Sequence, residues 1–186
     1  MAHATTEAMT AGLDQVRAAP GDGGTVELVV SRPRVDGRDV LEVGELSVEH
    51  GLVGDTWADR GSRHTEDGSA EPGRQVTIMS ARAAALIAGP VERWPLAGDQ
   101  LFVDLDLSHD NLPAGTRLAV GEAVVEISVE PHNGCAKFAS RYGQDAVRFV
   151  NSPDGKALRL RGLNARVVRS GAVRPGDVVA KVADGT

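Results

Sequence analysis

The chain has 186 residues, 41% of them hydrophobic and 25% charged, with a formal net charge of −6 at pH 7. That length suits one domain with room for a short appendage and is enough to bury a core; the negative balance argues against nucleic acid as the main partner, and no apolar run reaches the roughly 20 residues that a membrane helix needs. A single cysteine excludes an internal disulfide, and the N-terminus lacks the basic start and apolar stretch of a secretory signal, so a reduced, cytoplasmic setting is expected.

Residues 5–19 read as a helix: Thr5 or Thr6 can cap it, Met9, Leu13 and Val16 fall near one face, and Pro20 with Gly21-Asp22-Gly23-Gly24 stops it. The Gly-rich stretch is the one boundary the chain offers. It separates a helical extension and link, residues 1–24, from a domain at residues 25–183. Residues 25–30 are β-branched and apolar, and residues 40–48 alternate around Gly44, both as strands. Residues 50–55 form a turn-rich link. Residues 59–74 are a long polar loop of the kind that carries function. A strand at residues 75–79 precedes an alanine-rich helix at residues 81–88, capped by Ser80 and ended by Gly89-Pro90.

Residues 101–107 alternate, with Leu101, Val103, Leu105 and Leu107 on one face and Phe102, Asp104 and Asp106 on the other. That alternation explains the two carboxylates without a catalytic role. Residues 116–120 and 123–129 read as a hairpin through Gly121-Glu122. Short helical pieces follow at residues 136–142 and 146–150. The last strands are expected at residues 163–169 and 178–182, around the turn Arg174-Pro175-Gly176-Asp177. Many short strands with Gly and Pro turns make the chain mainly β with short helices, a barrel or folded sheet.

The most informative stretch is Asn133-Gly134-Cys135-Ala136-Lys137-Phe138, because it holds the only cysteine beside one of three lysines. A thiolate near positive charge is both a nucleophile and a soft ligand for metals and sulfur. The competing reading is a small buried hydrophobe. His132 and Cys135 are three apart, a poor zinc signal without a second Cys or His pair. Residues 137–174 are locally basic, with Lys137, Arg141, Arg148, Lys156, Arg159, Arg161, Arg166, Arg169 and Arg174 against Asp145 and Asp154. Such a stretch is a solvated face or a pocket for a small anion, whose phosphate or carboxylate an arginine fork suits. Along residues 163–167 alternation sets Asn164 and Arg166 on one face and Leu163, Ala165 and Val167 on the other.

The run Leu112-Pro113-Ala114-Gly115-Thr116-Arg117-Leu118-Ala119-Val120-Gly121-Glu122-Ala123, the cysteine turn, Arg161-Gly162-Leu163-Asn164-Ala165-Arg166-Val167-Val168 and Val173-Arg174-Pro175-Gly176-Asp177 follow one another in an order that resembles the MOSC domain family. Gly51-Leu52-Val53-Gly54-Asp55 is similar to an early glycine–aspartate motif of that family. The resemblance, from about Val26 to Val182, implies a MOSC-type β-barrel. It also implies association with the molybdenum cofactor, with Cys135 as a sulfur (persulfide) carrier or a molybdenum ligand. Lys137, Arg141, Arg161, Asn164, Arg166, Asp55 and His64 then become candidates for holding the pterin cofactor. A metal-ligating cysteine would suit reduction of N-hydroxylated compounds, as in some family members. The chain is too short to hold a desulfurase, so a sulfur donor such as a cysteine desulfurase would be a separate protein. The alternative is a non-catalytic β-barrel module binding an anion or a partner, with Cys135 buried and inert.

Overall fold

A computed structural model of the protein describes residues 3–62 and 65–183. Helices α1 (Thr6–Ala11) and α2 (Leu13–Arg17) precede strands β1 (Gly24–Ser31), β2 (Asp39–Leu41), β3 (Gly44–Ser47) and β4 (Gly51–Leu52). The single turn α3 (Trp57–Arg60) leads through a 3-10 turn at Pro72–Arg74 to β5 (Val76–Ser80) and α4 (Ala81–Ala88). A 3-10 segment at Val91–Ala97 brings the chain to β6 (Leu101–Asp104), β7 (Arg117–Val120) and β8 (Ala123–Ile127). Then come α5 (Ala136–Tyr142), α6 (Gln144–Asn151), α7 (Pro153–Ala157), β9 (Leu163–Arg169), β10 (Gly171–Val173) and β11 (Val178–Lys181).

Seven strands close into a barrel in the order β1-β6-β5-β9-β8-β7-β11, with β11 returning to β1 through Gly24↔Val179 and Thr25↔Val178. Only β5 and β6 run parallel; the other barrel pairs are antiparallel. Strand β2 continues the sheet from β1, and β10, β3 and β4 form a separate small sheet.

The barrel interior is aliphatic: Val26, Leu101, Val103, Leu118, Val125, Ala165 and Val179 are among its buried residues. The scarce aromatics lie elsewhere. Phe102, Phe138, Tyr142 and Phe149 join Met9, Leu13, Val16 and Ile87 in a second cluster between the barrel wall and the helices. This outer layer explains one departure from alternation. The strand at residues 101–107 is regular only to Asp104, and Phe102 is fully buried, because helices cover the outer side of that wall. The expected helix at residues 5–19 is two short helices broken at Gly12, where a Cβ would lie 2.4 Å from Leu86 Cδ1. The Leu86 side chain of α4 packs against that break. Helix α4 itself forms as expected, with Ser80 Oγ accepting from the Ala83 N–H. The 50–55 link contains β4, the polar loop begins in α3, and α7 and β10 had no counterpart in the periodicity.

Candidate functional site

Residues 32–38, 56–60, 97–98 and 132–141, with Arg161, meet at one end of the barrel and enclose a cleft of about 350 Å³. The first wall is the loop after β1. Arg32 lies at its base, where the buried Asp55 carboxylate accepts from the Arg32 backbone N–H at 3.0 Å, Nε at 2.7 Å and Nη2 at 2.9 Å. Asp55 also accepts from the Trp57 N–H at 2.9 Å, so one carboxylate ties the end of β1 to the start of α3. The second wall is the end of the 3-10 segment at Ala97 and Gly98, whose carbonyl at Gly98 accepts from Arg32 Nη1 at 2.9 Å. The third is residues 132–141.

Cys135 sits in this third wall. It is the N-cap of α5, with an extended backbone (φ −125°, ψ 178°) and no side-chain capping bond. Its side chain is exposed and lines the cleft. Residues 128–135 are irregular, with bends at Val129 and Glu130, and Asn151 holds both the N–H and the carbonyl of Gly134. The thiol is therefore accessible, and the expectation of a buried cysteine does not hold.

Seven cationic side chains line the same cleft: Arg32, Arg34, Arg38, Arg60, Lys137, Arg141 and Arg161. Arg32 pairs with Asp55, Arg141 with Asp36 at 2.9 Å, and Arg161 with Asp99 at 2.5 Å. Arg34, Arg38 and Lys137 have no carboxylate partner among the described residues; Arg38 Nε donates instead to the Pro95 carbonyl. Burial, then the neighbouring Arg141 and Arg32 charges, push the Arg38 guanidinium below its ordinary pKa. The cleft is thus a region of positive potential with charge left over for a ligand.

Its inner wall is a charged triad. Asp99 is fully buried and bridges Arg161 Nη1 to His132 Nε2, the latter at 2.9 Å. Burial would raise the Asp99 pKa, but the Arg161 and His132 contacts outweigh it and hold the carboxyl down to about 2. Burial and the Arg161 charge lower the His132 pKa against the pull of Asp99. The imidazole is therefore neutral at pH 7, with its Nε2–H donated to the carboxylate. The Arg161 guanidinium also stacks over the Phe138 ring, 4.8 Å from its centroid.

These shifts give stability a defined pH dependence. Below the ordinary histidine pKa of 6.5 the unfolded chain takes up a proton that folded His132 resists, so stability falls as pH drops through 6.5. A second loss follows below 3.8 as Asp99 is approached at about 2. Urea midpoints between pH 7.5 and 5 should decline, and His132→Gln should flatten that decline, leaving the part due to His109, whose pKa is also lowered by burial and by Arg159. A flat wild-type profile would exclude the assignment.

Cys135, Lys137, Arg141 and Arg161 are brought together in the cleft, and Asp55 lies beneath it as the partner of Arg32. Asn164 is buried and donates to the Glu130 carbonyl at 3.0 Å, outside the cleft lining. Arg166 is on the same face of β9 but points to the surface, paired with Glu126. His64 lies outside the described residues. Asp104 is paired with Arg82 and Asp106 accepts from the Ser108 N–H, so the two carboxylates do not act as a pair. Arg32, Arg34, Arg38 and Arg60 were missed; the clustering of arginines at residues 32–38 was the available signal. Among the described residues no group of three or more His, Cys, Asp or Glu side chains is placed to hold a metal ion, and no helix is long and apolar enough to cross a membrane.

The family model of the MOSC domain matches residues 64–180 of the chain. No curated protein matches it in sequence. Among solved structures it is similar to the YuaD protein from Bacillus subtilis, at 18% identity over 84% of this chain and 93% of that one, with a TM-score of 0.59. It is also similar to YiiM from Escherichia coli, at 18% identity over 87% of this chain and 71% of that one, TM-score 0.55. YiiM from Geobacillus stearothermophilus is similar at 16% identity over 90% and 76%, TM-score 0.55.

Proposed function

The chain belongs to the MOSC domain family, which is associated with the molybdenum cofactor, and from that premise we propose that the cleft holds the anionic pterin of that cofactor with Cys135 at its centre. The observation that carries the reading is an accessible thiol inside a cleft whose cations outnumber their carboxylate partners. The donor set fits the group. A thiolate is a soft donor for molybdenum or for sulfane sulfur. Arg34, Arg38 and Lys137, none paired with a carboxylate among the described residues, are placed to neutralise a phosphate.

When bound, the cofactor supplies a redox-active metal; the chain supplies the rest. Asp55 and Asp99 lock Arg32 and Arg161 in place, so little side-chain entropy is lost when an anion binds between them. Cys135 acts in one of two ways: it ligates molybdenum, in line with reduction of N-hydroxylated compounds, or it carries sulfur. In the carrier case its thiolate attacks a persulfide on a separate donor such as a cysteine desulfurase. A new S–S bond forms at Cys135 as the donor's S–S bond breaks, and the donor leaves as a thiol.

Protein purified from a host that makes the cofactor should contain molybdenum and pterin. Cys135→Ser should lose the metal, or the transferable sulfur, while Lys137→Glu should lose pterin as well. Undiminished cofactor and sulfur in Cys135→Ser would refute the reading.

A further inference from the structure

Arg161 and His132 face two clefts, not one. Beyond them, between residues 128–133 and the turn from α7 into β9, lies a second cleft of about 240 Å³. Arg159, Arg161 and Lys156 reach it, against a single lining carboxylate, Glu130. That carboxylate lies against Gly73, within 2.5 Å of where a Cβ on the glycine would stand, on the side of a neighbouring groove.

The cations here are short of counter-ions. Arg159 is only 9% exposed, and its Nη1 donates to the carbonyls of Leu107 at 3.3 Å and Leu112 at 2.6 Å. No carboxylate pairs with it among the described residues. Burial alone accounts for its lowered pKa, with no acid to offset it. Its backbone holds φ +47°, a left-handed conformation costly for a side-chain-bearing residue. Arg161 is 6% exposed; Nη1 and Nη2 are used on Asp99 and the Ala97 carbonyl. Its Nε is the one buried side-chain polar atom among the described residues that lacks a partner. Lys156 is exposed at the rim and has no ion pair among the described residues.

A buried guanidinium without an anion is expensive, and so is a buried donor left unmade. Both costs occur at one cleft. We propose that this cleft is a second binding site, separate from the thiol cleft, for a small oxyanion of the phosphate or carboxylate type. Arg159 and Lys156 supply the charge and Arg161 Nε the spare donor. The volume lies below the roughly 300 Å³ at which ordinary small-molecule sites begin, which restricts the ligand to a small anion or the anionic end of a larger molecule. The site does not depend on what Cys135 does.

Calorimetric titration of the full chain with orthophosphate, and separately with acetate, tests this. A saturable site that persists in Lys137→Glu is expected for at least one probe, and the better probe names the chemical class. Lys156→Glu, at an exposed position that leaves the fold intact, should weaken that binding by about tenfold or more. Lys137→Glu, in the thiol cleft, should leave it unchanged. Arg159→Gln should abolish it; if that variant unfolds, Lys156→Glu still decides. Absence of saturation, or weakening by Lys137→Glu with no effect of Lys156→Glu, would overturn the proposal. So would loss of the site in cofactor-loaded protein, since the anion would then be the pterin phosphate.

Discussion

Asp99→Ala should lower the unfolding free energy by about 3–5 kcal/mol, a large part of the 5–15 kcal/mol typical of a domain. Asp99 is completely buried and is, among the described residues, the only counter-ion of Arg161, itself 6% exposed. Removing it strands a guanidinium that already has one unpartnered nitrogen and deprives His132 of its acceptor. The loss comes from the charge left behind more than from the bond removed. Accordingly, Asp99→Leu combined with Arg161→Met should recover most of the stability, because a matched apolar pair carries no desolvation penalty. Urea denaturation of the two single variants and the double variant measures this. A loss below about 1 kcal/mol for Asp99→Ala would mean that water reaches Arg161 and that the inner wall is not closed.

Asp55→Ala should cost a similar amount, about 3–5 kcal/mol, and add a local effect. The carboxylate accepts four hydrogen bonds, three from Arg32 and one from the Trp57 backbone. Without it the loop after β1 and the turn α3 lose the carboxylate's four bonds and keep the one from the Thr56 N–H to the Arg32 carbonyl. Limited proteolysis should then cut first between residues 32 and 60, before the barrel opens. The surface pair offers a control: Arg166 is half exposed, so Arg166→Ala should change stability by less than about 1 kcal/mol. A comparable loss in both variants would show that burial does not set the scale here.

The barrel was legible in the sequence because its strands alternate and its turns carry Gly and Pro. Half of the cleft was legible for a different reason: Cys135, Lys137 and Arg141 lie within seven residues of one another, on one turn and the helix it caps. The other half comes from residues 32–60, far from the thiol in sequence and brought beside it by the closed barrel, where Arg141 pairs with Asp36. Residues 32–60 carry seven acidic side chains against four arginines, yet all four arginines line the cleft and only Asp36 and Asp59 of the acids do, a sorting that composition does not show. Alternation likewise placed Asn164 and Arg166 on one face of β9 without revealing that Glu126 on β8 stands opposite Arg166.

The pairing of Gly24 and Thr25 with Val179 and Val178 has a temporal meaning. The first and last barrel strands are joined across more than 150 residues, so the ring stays unsealed until β11 has left the ribosome. Nascent protein must wait with two raw strand margins showing, a state that invites intermolecular stacking and slows maturation. A premature stop codon before Val178 would therefore yield insoluble product, although every residue of both clefts had already been translated.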